Sequence, residues 1–164
     1  FNELAAVASV MRFTRPKTLF GNILAGGLGW GLPAALGAKL ATPERDVIAC
    51  VGDGSYIFAN PVACHQTAAM HEIPVLTIVL NNAVWNAVRR ATTFMYPQGE
   101  AVRANVMPMT ALGTPPDYAA IARAHGAHAE KVSEAGKLPA ALERALKVTR
   151  EEKRQALLDV TVSY

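Results

Sequence analysis

The chain has 164 residues, 51% of them apolar and 18% charged, with a formal charge of +3. That length makes one domain with room for a proper core, and the composition excludes a disordered segment. The basic residues are dispersed, so Arg89-Arg90 and the cluster over Arg150–Arg154 read as solvated faces and not as a nucleic-acid surface. For Arg89-Arg90 an interface ion pair is the alternative. The scarcity of charge suggests that part of the surface meets other protein. Cys50 and Cys64 lie in apolar contexts and read as small buried residues, which fits a reducing, cytoplasmic compartment. No apolar run reaches the roughly 18 residues needed to cross a membrane, and no signal peptide is read. The first residue is Phe1 and not Met, so a fragment is expected.

Residues 1–25 are a lead-in of uncertain structure, with a short helix expected over Leu4–Met11 and a breaker at Thr14-Arg15-Pro16. Gly26–Gly31 is a glycine-rich turn. Pro33 opens a small-residue helix to about Ala41, in the first turn where proline is tolerated. Val47–Val51 is a short continuous apolar run, the pattern of a strand buried on both faces. Gly52-Asp53-Gly54-Ser55 ends it, and a helix follows from about Asn60 to His71. Val75–Leu80 is a second buried strand, ending in Asn81-Asn82.

Residues 83–91 read as helix. Residues 92–116 hold several prolines and little periodicity, which points to a functional or mobile segment. Asp117 caps a helix that Gly126 stops near His125. Ala129–Val132 is a strand, Leu138–Val148 an amphipathic helix, and Ala156–Val162 a last strand. Strands alternating with helices predict an α/β fold: an open, mainly parallel sheet with helices on both faces, over residues 26–164.

Ligands of such a sheet bind at the carboxyl ends of its strands. Gly52-Asp53-Gly54-Ser55 and Asn81-Asn82 both stand there, and a right-handed crossover places them side by side. Asp53 offers an anionic oxygen and Asn82 an amide oxygen, suited to a Mg²⁺ ion that also takes phosphate oxygens. Gly52 and Gly54 let backbone approach a bulky anion. Ser55 and the N–H groups after Asp53 add donors. Taken singly, each cluster is an ordinary turn; the combination is what signals a diphosphate site. No Walker-type loop is present, and Gly27, Gly29 and Gly31 follow no predicted strand, so they are not a dinucleotide fingerprint.

Gly-Asp-Gly followed, about two dozen residues on, by Asn-Asn resembles the signature of thiamine-diphosphate enzymes. The stretch Gly26-Gly27-Leu28-Gly29-Trp30-Gly31-Leu32-Pro33 is similar to the segment that holds the aminopyrimidine in acetolactate synthases and benzoylformate decarboxylase. Pro43–Ile48 continues the likeness, which covers about residues 25–162. The resemblance implies the diphosphate-binding domain of an enzyme that decarboxylates or carboligates 2-keto acids, a lyase or transferase. It implies thiamine diphosphate and Mg²⁺ as cofactors, with Asp53, Asn82 and the carbonyl of Val84 as metal ligands. Gly52, Gly54, Ser55, Val84 and Trp85 would contact the cofactor. Leu28 would prop its bent shape, and the Gly26 carbonyl would accept from its 4′-amino group. That bend sets the amino group beside the thiazolium C2 carbon.

The resemblance also implies a partner. The activating glutamate of such enzymes lies on a pyrimidine-binding domain of a neighbouring subunit, and no segment here looks like that domain. A homo-oligomer is therefore expected, with no catalytic residue in this chain and no turnover by the chain alone. Ala83-Val84-Trp85-Asn86 departs from the acidic or glutamine residues of many acetolactate synthases and looks closer to aromatic-keto-acid enzymes or lyases. A non-catalytic phosphate-binding or regulatory doubly wound domain is the rival reading.

Trp85 reads as an apolar anchor for the following helix or as a wall of the substrate pocket. His65 and His71 are six residues apart, not on one helix face, so they read as packing or surface residues; His125 and His128 read as structural. Met95, Met107 and Met109 read as gap-filling packing or as part of a lid.

Overall fold

The computed structural model describes residues 7–21 and 27–163. The expected helix over Leu4–Met11 is helical over residues 7–10, its remainder lying outside the described residues. In chain order follow α1 (Gly31–Ala41), β1 (Ile48–Gly52), α2 (Asp53–Phe58), α3 (Pro61–Met70), β2 (Leu76–Asn81), α4 (Asn86–Met95) and α5 (Glu100–Arg103). After these come α6 (Tyr118–Arg123), β3 (His128–Val132), a 3₁₀ turn (Ala135–Lys137), α7 (Leu138–Glu151) and β4 (Ala156–Thr161). The strands form one sheet in the order β1-β2-β4-β3, and every pairing is parallel. The predicted α/β architecture is the one found. Among the described residues no helix is long and apolar enough to cross a membrane.

Two apolar layers hold the sheet. On one face Leu32 and Leu36 of α1, Ala68 of α3 and Tyr118 and Ala122 of α6 cover Ala49, Val51, Val79 and Leu157. On the other, Ala141 and Ala145 of α7 lie on Leu76, Leu158 and Val160, with Leu138 and Leu142 packed alongside. The two alanines are buried because a small residue lets the helix approach the pleat closely. Each buried Leu or Val contributes about 1.5–3 kcal/mol relative to exposure.

The layers also explain where the sequence pattern misleads. The run Val47–Val51 predicts a strand covered on both faces, yet Ile48 is 45% exposed and Cys50 is exposed as well. β1 is an edge strand, and α7 covers only β2, β3 and β4 on that face. Of the two cysteines, only Cys64 is buried. The segment 92–116 is more regular than its prolines suggest: α4 runs on to Met95, α5 follows, and Val84 makes an antiparallel bridge to Ala111. Asp117 caps α6 as predicted, its carboxylate accepting from the Ala120 N–H at 2.8 Å, and Gly126 sits at φ +78° beyond it.

A buried polar chain locks α2 in place. The amide nitrogen of Gln155 donates to the carbonyls of His65 and His125 at 3.0 and 3.2 Å, so its oxygen must accept. It accepts from His65 Nδ1 at 2.6 Å, which leaves Nε2 to accept from the Tyr56 hydroxyl at 2.7 Å. Burial pushes the His65 pKa down, which suits this neutral tautomer. Tyr56 stands on α2, so the helix that begins at Asp53 is tied to α3 and to the entry of β4.

The far edge is pinned by charge. Glu130 of β3 accepts from Arg144 of α7 through both carboxylate oxygens, at 2.9 and 2.7 Å, and from His128 at 2.8 Å. The Arg144 bond, joined by His128, holds the Glu130 carboxyl at about 2, below its usual 4.5. A depressed folded-state value means that the stabilisation is complete above pH 4.5 and fades as the pH falls through about 2. Arg144→Gln should therefore lower the urea midpoint at pH 7, with much of the difference gone near ~pH 3. An equal difference at both pH values, in urea titrations followed by circular dichroism, would refute the coupling.

Candidate cofactor and metal site

Parallel pairing of β1 with β2, in a register that sets Gly52 opposite Leu80, brings both polar clusters to one end of the sheet. α2 starts directly after β1, which puts the N–H groups after Asp53 at a helix start, and it is separate from α3, the helix expected from about Asn60. The Asp53 carboxylate, on the first residue of α2, reaches across to the end of β2. Its Oδ1 accepts from the Gly54 N–H at 2.8 Å and its Oδ2 from the Ala83 N–H at 2.7 Å. The backbone N–H of Asn82 faces it too. The two motifs, thirty positions apart, thus close on one carboxylate.

The turn after β2 is strained and heavily held. Ala83 has φ +56°, a left-handed conformation that costs a non-glycine residue roughly 1 kcal/mol. This is why residues 83–85 are not helical as predicted and α4 starts only at Asn86. Hydrogen bonds hold the turn from several sides. Besides Asp53, the Ala83 N–H meets Asn81 Oδ1 at 3.2 Å. Asn82 Oδ1 accepts from the Val84 N–H at 3.0 Å, an Asx turn. The Trp85 N–H donates to the Thr110 carbonyl at 2.7 Å and the Leu112 N–H to the Ala83 carbonyl at 2.9 Å.

Asp53 is 3% exposed, and burial raises its carboxyl pKa while the N–H groups of Gly54, Ala83 and Asn82 work against that rise. Among the described residues no cationic side chain pairs with it. A buried carboxylate without a counter-charge is costly. Asn82 Oδ1 and the Val84 carbonyl, which accepts from the Asn86 N–H at 2.8 Å, lie on the same turn. An anionic oxygen with two neutral oxygens fits a hard divalent cation such as Mg²⁺, which keeps further positions for phosphate oxygens. The residues present therefore fit the expected metal.

The glycine-rich turn joins the same end. The Gly29 N–H donates to Ser55 Oγ at 3.1 Å, so Ser55 accepts here and keeps its proton to donate elsewhere. Gly29 has φ +90°, and an added Cβ would lie 2.6 Å from the Phe58 carbonyl oxygen. This contact leaves Leu28, 51% exposed, at the lip of the site. Gly26, the predicted acceptor for the amino group, lies outside the described residues.

Trp85 lies against α2. A Cβ on Gly54 would stand 2.3 Å from Trp85 Cδ1, and the indole packs edge-on to Phe58 with centroids 5.7 Å apart. Its Nε1 is buried and has no partner among the described residues. The anchor reading of Trp85 is thus visible, though the anchored element is α2. Beyond the turn, a cavity of about 350 Å³ is lined by Val84, Arg89, Thr93, Val102, Met107 and Thr110. Arg89 faces this cavity and does not lie on a purely solvated face; Thr110 drew no notice in the sequence because it carries no motif. Gly54→Ala should displace the indole and cost about 1–3 kcal/mol through overpacking. Unchanged tryptophan fluorescence and stability in that variant would show that Gly54 and Trp85 do not share this space.

Residues 4–160 match the model of the family described as thiamine pyrophosphate enzyme, C-terminal TPP binding domain. The benzoylformate decarboxylase of Pseudomonas aeruginosa is 36% identical over 126 residues, which are 77% of this chain and 22% of that protein. The large subunit of acetolactate synthase isozyme 3 of Escherichia coli is 35% identical over 150 residues, 92% of this chain and 24% of that protein. The solved structure of the thiamine diphosphate-dependent 4-hydroxybenzoylformate decarboxylase of Rhodococcus jostii RHA1 superposes with a TM-score of 0.72 at 31% identity, covering 85% of this chain and 24% of that one. This chain spans about a quarter of the length of these relatives, and it belongs to the family of C-terminal thiamine-pyrophosphate-binding domains of thiamine pyrophosphate enzymes.

Proposed function

We propose that this chain supplies the diphosphate and Mg²⁺ side of a thiamine-diphosphate site in an enzyme that decarboxylates or carboligates 2-keto acids. The observation that carries the proposal is the buried Asp53 carboxylate, bonded to the Ala83 N–H of the Asn-Asn turn at 2.7 Å. Asp53, Asn82 and the Val84 carbonyl would hold the metal. Gly52, Gly54 and Ser55 would meet the diphosphate, while Leu28, Trp85 and Gly26 would border the ring system. When bound, the cofactor supplies the nucleophilic carbon and the electron sink. The chain's own task is to bind, to orient and to exclude water.

The rest of the assembly is part of the same proposal. Val88, Phe94, Met95, Tyr96 and Met109 follow the metal turn and are all more than half exposed, Phe94 at 83% and Met109 at 87%. An apolar surface of that extent beside a site suits a covering domain, and we assign it to the pyrimidine-binding domain of a neighbouring subunit in a homo-oligomer. Residues 92–116 would close when that domain docks. Residues 26–164 form the cofactor domain and 1–25 its lead-in. Two free cysteines agree with a cytoplasmic setting.

Asp53→Ala should abolish Mg²⁺-dependent binding of thiamine diphosphate and leave the far-ultraviolet spectrum unchanged, because it removes the anionic ligand. Calorimetry that finds the wild-type affinity in the folded variant would overturn the metal assignment. The chain alone, loaded with thiamine diphosphate and Mg²⁺, should turn over 2-keto acids negligibly. The absent activating carboxylate alone is worth about 10²–10⁴-fold. Rapid exchange of the cofactor's C2 proton on the isolated chain at neutral pH, followed by NMR, would place that carboxylate within this sequence instead.

A further inference from the structure

We propose that Asp159 is a positioning residue of the cofactor site, acting through Asn81 to hold the Ala83 amide in the place where Asp53 receives it. The proposal rests on the cofactor reading above. Asp159 lies on β4, 1% exposed, opposite Val79 in the register with β2. Among the described residues no hydrogen bond joins it to Asp53, Asn82 or the Val84 carbonyl. Its Oδ1 accepts from Asn81 Nδ2 at 2.9 Å, and Asn81 is itself 6% exposed. Asn81 Oδ1 in turn accepts from the Ala83 N–H at 3.2 Å, the same N–H that donates to Asp53 Oδ2 at 2.7 Å.

The direction of each bond is fixed by chemistry. A backbone N–H only donates, so Asn81 must turn its oxygen to Ala83, which leaves its nitrogen to donate to Asp159 Oδ1. With no acceptor at position 159, the Asn81 nitrogen loses its partner and the Ala83 N–H alone favours that orientation. A flipped amide would set two donors face to face at Ala83.

The consequence reaches the site because Ala83 is strained. At φ +56° it occupies a conformation that alanine leaves readily unless its neighbours hold it. Asp53 and Asn81 hold its N–H, and Leu112 holds its carbonyl. Loosening the Asn81 anchor lets the turn relax, which moves Asn82 and the Val84 carbonyl relative to Asp53. The two asparagines thus have separate tasks: Asn82 faces the ligand, and Asn81 faces inward as the arm through which Asp159 acts.

The experiment uses this chain with Asp159→Leu, Asp159→Asn, Ala83→Gly and the Asp159→Leu/Ala83→Gly pair. Hydrogen exchange at the Ala83 amide is read by NMR without ligand, and thiamine diphosphate affinity with Mg²⁺ by calorimetry. Asp159→Leu should speed Ala83 exchange and weaken affinity by roughly tenfold, the effect of one buried hydrogen bond. Asp159→Asn keeps an acceptor and should stay within about threefold of wild type on the same scale. Ala83→Gly should restore most of the lost affinity in the Leu background, because glycine holds φ > 0 without anchors. A residue that merely fills the core would show no such rescue.

Three results would overturn the proposal: unchanged Ala83 exchange and affinity in folded Asp159→Leu, an Asn variant as impaired as Leu, or no rescue by glycine. Should Asp159→Leu fail to fold, Asn81→Ala cuts the same link from its other end and must give the same Ala83 exchange. If the wild-type chain binds no thiamine diphosphate, the cofactor reading itself fails, and Ala83 exchange still decides whether Asp159 holds the turn.

Discussion

A buried carboxylate, with no cationic side chain beside it among the described residues, governs this end of the molecule. Taking Asp53 out of water disfavours its charge, and burial raises its pKa accordingly. What keeps it usable as an anion is a set of backbone N–H groups drawn from two places in the chain. Gly54 comes from the helix that begins at Asp53, while Asn82 and Ala83 come from the end of the neighbouring strand. Only a parallel β1–β2 pair with a crossover on one side can deliver both. The requirement that Asp53 be solvated by backbone therefore constrains the topology, the short α2 helix and the left-handed turn together.

That solvation is rigid, and rigidity is useful here. A metal–diphosphate pair carries concentrated charge, and fixed dipoles hold such charge without reorganising. The strain at Ala83 is the cost of aiming an N–H back at Asp53 immediately after a strand. It is spread over bonds to Asp53, Asn81 and Leu112, so no single bond bears it. The bonds from the Leu112 N–H to Ala83 and from the Trp85 N–H to Thr110 attach residues 110–112 to this turn. Movement in the segment that follows α4 is thereby coupled mechanically to the ligand set.

Much of this was legible in the chain. Continuous apolar runs marked β1 and β2, polar clusters at their ends marked the site, and Asp117 and Gly126 bracketed α6. What escaped was of three kinds. α2 is six residues long, too short to show a helical period, so the N–H groups after Asp53 read as a helix start but the helix itself is placed from about Asn60. The open face of β1 follows from its edge position, and the order of strands in a sheet is not written in any one strand: Cys50 looks as apolar in context as Cys64. Finally, Asp159 sits in an otherwise apolar run, Ala156–Thr161, where a lone acid carries no motif. Its partner Asn81 is 78 positions away, so only the folded chain shows the link.

The exposed surface completes the physical argument. Near the turn after β2 the exposed surface sets large apolar side chains, Val88, Phe94, Met95, Tyr96 and Met109, among the charges of Arg89, Arg90, Glu100 and Arg103. The opposite edge, at β3 and α7, is different: Glu130, Arg144, His128, Lys137 and Glu134 pair off in water-facing ion pairs. At the end of β1 the Asp53 carboxylate is recessed, 3% exposed. Under the proposed reading, a low-dielectric cover over that end would strengthen every interaction between Asp53, a metal ion and a diphosphate.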